Sequence, residues 1–128
     1  MTAHKILIVD DSKLARMAIV KALSTICPDW TRFEAANAEE ALSTVKQSAI
    51  DITLLDYNMP GQDGLALAAE LRAFNPDMPV AIISANHQTE IVNQARDVGA
   101  TFLAKPVNEQ ALRDFLATAA ARLETSSR

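Results

Sequence analysis

Five polar side chains follow or close short apolar runs of the sequence, and their types suit phosphate and metal chemistry. They are three carboxylates, one hydroxyl and one amine: Asp10, Asp11, Asp56, Ser84 and Lys105. Carboxylates brought close together repel one another, and a bound cation relieves that repulsion. Oxygen ligands without His or Cys suit Mg²⁺, which takes one or two carboxylates together with water and phosphate oxygens. We therefore expect a Mg²⁺ site that also receives a phosphoryl group.

The same residue types extend this chemistry from binding to reaction. Lys105 would supply a compact positive charge to a phosphate oxygen, and the Ser84 hydroxyl would donate a hydrogen bond to another. A carboxylate can attack phosphorus and form an aspartyl phosphate. Asp56 is the candidate nucleophile, because it alone opens a long loop, DYNMPGQD, after a strongly apolar run.

Each of these residues also has an ordinary structural interpretation when it is taken alone. Asp11 or Ser12 would cap the start of a helix, and Asp56 would end a strand before a turn. Ser84 would be a turn hydroxyl, and Lys105 a surface lysine before a proline. The functional interpretation depends on their common placement, because these separate roles would all have to meet at one edge of one sheet.

The elements that must position these residues are short apolar runs alternating with segments of helical period. Five runs are predicted as strands: Lys5 to Val9, Trp30 to Ala35, Ile50 to Leu55, Pro79 to Ser84 and Thr101 to Ala104. The first and third are nearly all apolar, so we expect them at the centre of the sheet. Five one-sided helices lie between and after them, the third with a stripe of Leu67, Leu71 and Phe74. This alternation predicts an α/β fold, a parallel sheet covered on both faces.

Helix boundaries in the sequence agree with this arrangement. Asn37 followed by Glu40 predicts a capping pair at the start of the second helix. Gly99 follows the fourth apolar stripe, where a left-handed residue ends many helices. We expect a single domain over residues 1–128, with its core at 5–123 and a frayed tail at 124–128.

Length and composition limit the remaining functions. The 128 residues are 49% hydrophobic and 22% charged, as in ordinary globular domains. A net charge of −4 lacks the positive field of nucleic-acid binders, so we expect no direct nucleic-acid contact. Three glycines are too few for glycine-rich nucleotide loops. No apolar run approaches the roughly 18 residues of a membrane span, and the single Cys27 suits a buried thiol and a cytoplasmic setting.

Taken together, the motifs resemble those of the response-regulator receiver domain of two-component signalling. They are ILIVDDS, LLDYNMPGQDG, Ser84 at the end of the fourth strand and FLAKP in the fifth. The similarity spans Lys5 to about Leu123. It implies a doubly wound, five-stranded parallel sheet of order 2-1-3-4-5, the flavodoxin-like (βα)5 three-layer sandwich.

The resemblance also implies a role for each site residue. Asp56 accepts a phosphoryl group from a histidine kinase or a histidine phosphotransfer protein. Asp10, Asp11, Asp56 and the main-chain carbonyl of Asn58 hold Mg²⁺. Lys105 and Ser84 then contact the phosphoryl oxygens.

Further positions gain an expectation from the same family. Phe102 stands where the family has its switch aromatic, although an ordinary strand aromatic is the alternative. A cis peptide is implied between Lys105 and Pro106. Asn58 and Asn86 occupy positions that affect phosphoryl lifetime, either by positioning the hydrolytic water or by obstructing it. We expect the neighbouring His87 to be solvated at the start of the fourth helix.

The resulting hypothesis is a single-domain response regulator that catalyses only its own phosphorylation and dephosphorylation. Phosphorylation of Asp56 would act through Ser84 and Phe102 on a surface formed by the fourth helix, fifth strand and fifth helix, where a downstream protein docks. The exposed positions predicted there are a mixed polar set: Asn93, Gln94, Arg96, Asp97, Glu109, Gln110 and Arg113. One alternative is the receiver of a longer regulator with a DNA-binding or enzymatic output domain. Another is an aspartyl-phosphate phosphatase, whose usual D-x-D pair is missing because Asp10 and Asp11 are adjacent.

Overall fold

The computed structural model describes residues 3–59, 63–85 and 89–126, with side chains described to residue 124. The predictions for Asn86 and His87, and part of the loop DYNMPGQD, lie outside these ranges. The described strands are β1 (Lys5–Val9), β2 (Thr31–Ala35), β3 (Ile52–Asp56), β4 (Val80–Ser84) and β5 (Thr101–Ala104). The helices are α1 (Lys13–Ile26), α2 (Ala38–Gln47), α3 (Gly64–Phe74), α4 (Thr89–Asp97) and α5 (Glu109–Ser126).

The strands form one sheet of order β2-β1-β3-β4-β5 in which every neighbouring pair is parallel. β3 is central and β1 lies beside it, because their apolar residues are buried on both faces. The α/β prediction and the flavodoxin-like strand order are both confirmed.

Two apolar clusters on opposite faces of the sheet give the fold its three layers. One cluster joins the sheet to α2, α3 and α4, and it includes Leu67 and Ala95. The other joins the sheet to α1 and α5, and it includes Leu23 and Leu116. Among the described residues, no helix is long and apolar enough to cross a membrane.

The caps predicted from the sequence are present. Asn37 Oδ1 accepts a hydrogen bond from the Glu40 N–H at 2.8 Å, and Glu40 Oε1 accepts one from the Ala36 N–H at 2.9 Å. Ser12 rather than Asp11 caps α1, because its side chain accepts from the Ala15 N–H at 3.2 Å. Gly99 has a φ of +79°, the left-handed conformation that glycine adopts without strain.

Two details of the sequence prediction need correction. Phe74 was predicted to be part of the buried stripe of α3, but it is 53% exposed. It is the last residue of that helix, and the cluster instead includes Met78 from the connection to β4. α5 reaches Ser126 among the described residues, and the frayed tail expected at 124–128 stays a prediction. β2, β3 and β4 begin one or two residues later than predicted, since Trp30, Ile50 and Pro79 belong to the preceding connections.

Candidate functional site

The carboxyl ends of the parallel strands bring the predicted site residues to one edge of the sheet, here called the C-terminal edge. Asp56 is the last residue of β3, and Ser84 is the last residue of β4. Asp10 directly follows β1, and Lys105 directly follows β5. Asp10, Asp56 and Ser84 are buried, with at most 5% of their surface exposed. The common placement on which the functional interpretation depended is therefore present.

Three carboxylates meet at this edge. Asp10, Asp11 and Asp56 each offer one carboxylate oxygen, and these atoms all lie within 4.8 Å of one another. Asp10 and Asp56 are buried, whereas Asp11 is exposed and leaves the cluster open to solvent. Hard oxygen donors of this kind match Mg²⁺, which keeps part of its coordination for water and phosphate. The residues present thus fit the metal that the sequence predicted.

Lys105 supplies a positive charge to this cluster. Its Nζ lies 2.7 Å from Oδ1 of Asp56, and it reaches that buried carboxylate from a side chain that is 36% exposed. Asp56 Oδ1 has this ion-pair partner but no well-aligned hydrogen bond among the described residues. Three carboxylates against one ammonium leave the site with excess negative charge, which favours binding of a further cation.

The electrostatic environment of Asp10 reflects this excess. Burial raises the pKa of Asp10 above its ordinary value, and the neighbouring Asp56 and Asp11 charges also raise it. The Ser12 N–H, which donates to Asp10 Oδ1 at 2.9 Å, and the Lys105 charge lower the pKa but do not reverse the shift. The protein alone therefore disfavours the ionised form of Asp10, and a divalent cation would compensate.

Arg16 is a member of this region that the sequence analysis missed. Its Nη1 donates to the main-chain carbonyl of Asp10, and its Nε lies 3.0 Å from Oε1 of Glu34. The guanidinium therefore joins α1 to the ends of β1 and β2. A signal was present in the sequence: Arg16 lies three and four residues before Ile19 and Val20, which pack against the sheet, so its long side chain can reach the sheet as well.

The two predicted switch residues lie on neighbouring strands. Ser84 is 1% exposed and pairs in register with Ala104, while Phe102 pairs with Ile82. The Phe102 ring is half-buried against the apolar cluster of α2, α3 and α4. A cis peptide joins Lys105 to Pro106, as the family resemblance implied.

The remaining predicted positions are more exposed. Asn58 is exposed on the loop that follows β3. Six of the seven polar positions predicted for the signalling surface are exposed, and Asn93 is half-buried. Asn93 Oδ1 accepts a hydrogen bond from Arg96 Nη2 at 2.6 Å. Cys27 is buried as predicted, and burial raises the pKa of its thiol.

A groove of about 470 Å³ opens beside the carboxylates. It runs between α1 and the segment from Lys105 to Leu112, and its α1 wall is made of small and aliphatic side chains such as Ala18 and Ile19. Asp10 and Lys105 line the end of the groove nearest the site. Large apolar side chains are also exposed on α1, at Leu14 (78%) and Met17 (53%).

Comparison with known proteins agrees with this geometry. The response regulator receiver domain matches residues 6–117 of the chain. The chain is 41% identical over 98 residues to the glycerol metabolism activator of Pseudomonas putida, covering 76% of this chain and 44% of that protein. It is 30% identical over 115 residues to sporulation initiation phosphotransferase F of Bacillus subtilis, covering 89% of this chain and 91% of that one. The structure resembles chemotaxis protein CheY4 of Vibrio cholerae, with a TM-score of 0.83, 26% identity and coverage of 92% and 99%.

The chain belongs to the response regulator receiver domain family. Receiver domains are signalling domains of two-component systems; they generally bind Mg²⁺ in an acidic pocket and interact with histidine kinases or phosphotransfer proteins. The relatives include single-domain proteins and much longer regulators, and this chain spans less than half the length of several of the latter.

Proposed function

We propose that this chain is a single receiver domain that accepts a phosphoryl group on Asp56, in a Mg²⁺-dependent reaction, and transmits the signal by binding a protein partner. The observation that supports it best is the meeting of three carboxylate oxygens within 4.8 Å, together with the Lys105 ammonium 2.7 Å from Oδ1 of Asp56. This combination has a nucleophile, metal ligands and a phosphate-binding cation at one place. The donor is a histidine kinase or a histidine phosphotransfer protein.

In the proposed reaction, a carboxylate oxygen of Asp56 attacks phosphorus while the bond from phosphorus to the donor imidazole nitrogen breaks. Asp10, Asp11, Asp56 and the Asn58 main-chain carbonyl would hold Mg²⁺, which neutralises charge on the phosphoryl oxygens. Lys105 and Ser84 bind those oxygens and orient them.

The surface beside the site supports a protein donor. Leu14 and Met17 are exposed apolar residues one turn apart on α1, and exposed apolar patches are typical of protein contact surfaces. The groove between α1 and the start of α5 ends at Lys105 and Asp10. A donor helix packed in that groove would bring its histidine to Asp56.

The proposed signal to the downstream partner passes through Ser84 on β4 and Phe102 on β5. Phosphorylation would draw the Ser84 hydroxyl toward the phosphoryl group and let the half-buried Phe102 ring pack further inward. The surface formed by α4, β5 and α5 would then change its affinity for a downstream protein. A cytoplasmic setting and the absence of direct nucleic-acid contact, given the net charge of −4, belong to the same proposal.

The deciding experiment is phosphorylation by a small phosphodonor with Mg²⁺, followed by intact-protein mass spectrometry. We expect one added phosphoryl group on the wild type and none on Asp56→Asn. Asp51→Asn is the matched control, because it removes a carboxylate just before the same strand at the far edge of the sheet; it should be labelled like the wild type. Equal labelling of Asp56→Asn would show that the assignment is wrong.

The switch is tested separately. The beryllofluoride and Mg²⁺ form of the protein should retain a different set of partners in a pull-down from the free form. Identical partners for the two forms would refute the switch, although phosphorylation of Asp56 would stand.

One alternative deserves a test because of the lengths of the relatives. The chain covers 44% of the glycerol metabolism activator and 29% of the cyclic di-GMP phosphodiesterase response regulator RpfG of Xanthomonas campestris. In this alternative the receiver controls an output domain on the same polypeptide. An immunoblot of native cells would distinguish the two: a band near 13.9 kDa supports the single domain, and a larger band supports the longer regulator.

A further inference from the structure

Arg16 is largely buried at the start of α1, the helix whose apolar face packs against the sheet. Its side chain is 15% exposed, and it points to the end of the sheet rather than to solvent. The guanidinium donates through Nη1 to the Asp10 carbonyl oxygen at 2.5 Å. Its Nε donates to Glu34 Oε1 at 3.0 Å, so two nitrogen atoms of the forked guanidinium donate to two different residues. Glu34, on β2, is the anchor of this arrangement.

Asp10 is consequently held from several directions. Its N–H donates to the Ala35 carbonyl at 3.1 Å, continuing the ladder between β1 and β2 beyond the strand. Its carbonyl accepts from Arg16, and its Oδ1 accepts from the Ser12 N–H at 2.9 Å. With both peptide groups and one carboxylate oxygen fixed, the Asp10 side chain has little freedom to turn away from the carboxylate cluster.

We propose that Arg16, anchored by Glu34, is a positioning residue for the Mg²⁺ site, acting through Asp10 rather than by touching the ion. This inference rests on the proposed Mg²⁺ site at Asp10, Asp11 and Asp56. Groups that hold metal ligands in place commonly alter metal affinity by about 10- to 100-fold when they are removed. The Arg16 fork matches this role, because it binds the main-chain carbonyl of a proposed ligand through Nη1 while Nε is held by Glu34.

The direction of the effect separates positioning from simple electrostatics. Arg16 carries a positive charge near an acidic site, so its removal would strengthen cation binding if charge alone mattered. Positioning predicts the opposite, a weaker site, because Asp10 then loses its fixed main chain. The sign of the change in Mg²⁺ affinity is therefore diagnostic.

The test is isothermal titration of Mg²⁺ into wild type, Arg16→Ala and Arg16→Lys at neutral pH. We expect the dissociation constant to rise about tenfold for Arg16→Ala. Arg16→Lys should also weaken binding, although it keeps the charge, because an ammonium cannot span both partners as the guanidinium fork does. Glu34→Ala should weaken binding by a smaller factor, since Arg16 then loses its anchor.

Arg72→Ala is the matched control. Arg72 is also a half-buried arginine, and its Nη1 donates to a main-chain carbonyl, that of Met78, at 2.9 Å. It lies away from the carboxylates, so its loss should lower the melting temperature and leave Mg²⁺ affinity unchanged. Melting curves in EDTA identify any variant that fails to fold; if Arg16→Ala does, Arg16→Lys and Glu34→Ala decide.

The outcomes distinguish this inference from the proposed function. Equal or tighter Mg²⁺ binding by folded Arg16 variants would overturn the positioning role and leave the Mg²⁺ site intact. A wild type that binds no Mg²⁺ would overturn the proposed site itself. Weaker binding by Arg16→Ala and Arg16→Lys, with unchanged binding by Arg72→Ala, would support the inference.

Discussion

The two edges of the sheet both contain buried ionisable groups, but they treat charge in opposite ways. At the C-terminal edge, Asp10 and Asp56 are buried next to a third carboxylate and share one lysine. At the other edge, here called the N-terminal edge, His4 is a buried ionisable group, and Asp51 lies 3.8 Å from its Nδ1. Three carboxylates lie close together at the C-terminal edge. At the N-terminal edge, the Asp51 carboxylate lies near a histidine instead.

At the N-terminal edge the polar groups serve the fold. Asp51 Oδ2 accepts from the Lys5 N–H at 2.8 Å, and the Asp51 N–H donates to the Lys5 carbonyl at 2.8 Å, so Asp51 joins the starts of β1 and β3. The His4 ring packs edge-on against Trp30, with centroids 4.9 Å apart. The Asp51 carboxylate thus stabilises the start of the sheet through a main-chain hydrogen bond.

The comparison of the two edges shows that unfavourable like charge is confined to the C-terminal edge among the described residues. A cluster of carboxylates lowers stability until a cation arrives, so it is retained where binding is the purpose. At the N-terminal edge, the Asp51 carboxylate instead joins the starts of β1 and β3 through the main chain of Lys5. Substitutions at the two edges should therefore have effects of opposite sign on stability.

The largest effect is expected from Trp30→Ala at the N-terminal edge. Trp30 is 5% exposed, and removing a buried indole costs about 3–5 kcal/mol through lost burial and the cavity that remains. Urea denaturation would measure this loss, with Trp30→Phe as the milder variant. At low temperature, where part of the Trp30→Ala protein stays folded, that folded protein should still be phosphorylated. If folded Trp30→Ala were not labelled, the two edges would not be independent.

The next effect has the opposite sign. Since the pKa of Asp10 is raised in the folded protein, its ionised form is less stable there than in the unfolded chain. Asp10→Asn removes that charge and keeps an oxygen for the Ser12 N–H, so we expect the protein without metal to become more stable at a pH above the Asp10 pKa. Thermal melts in EDTA and in Mg²⁺ would show the gain and the loss of any Mg²⁺-induced rise. A lower melting temperature in EDTA would contradict the charge argument.

The smallest effect is expected at Asp51. Asp51→Ala removes the acceptor of the Lys5 N–H and should cost about 1 kcal/mol, the usual net value of one hydrogen bond. Asp51→Asn keeps an acceptor oxygen and should cost less. Chemical denaturation at neutral pH compares the two; a gain in stability for either variant would show that this edge, too, carries unrelieved charge.

The alternation of apolar runs and helical stripes was enough to predict the α/β fold, because periodicity and burial act over a few neighbouring residues. It located β1 and β5 to the residue, and it identified the capping pair at α2 from Asn37 and Glu40 alone. The strand order came from the family resemblance of the motifs around Asp10, Asp56 and Lys105. The same motifs identified the residues that meet at the C-terminal edge.

Other features required contacts between residues that are distant in the sequence. Arg16 reaches Glu34 across 18 positions, and Asp51 reaches Lys5 across 46. Both contacts exist because β1 lies in register between β2 and β3, which local periodicity does not specify. Phe74 satisfies the helical stripe of α3 yet remains exposed, since it lies at the end of the helix. The sequence by itself therefore determined the elements and the reactive residue types, whereas tertiary structure decided how the acidic ligands are held.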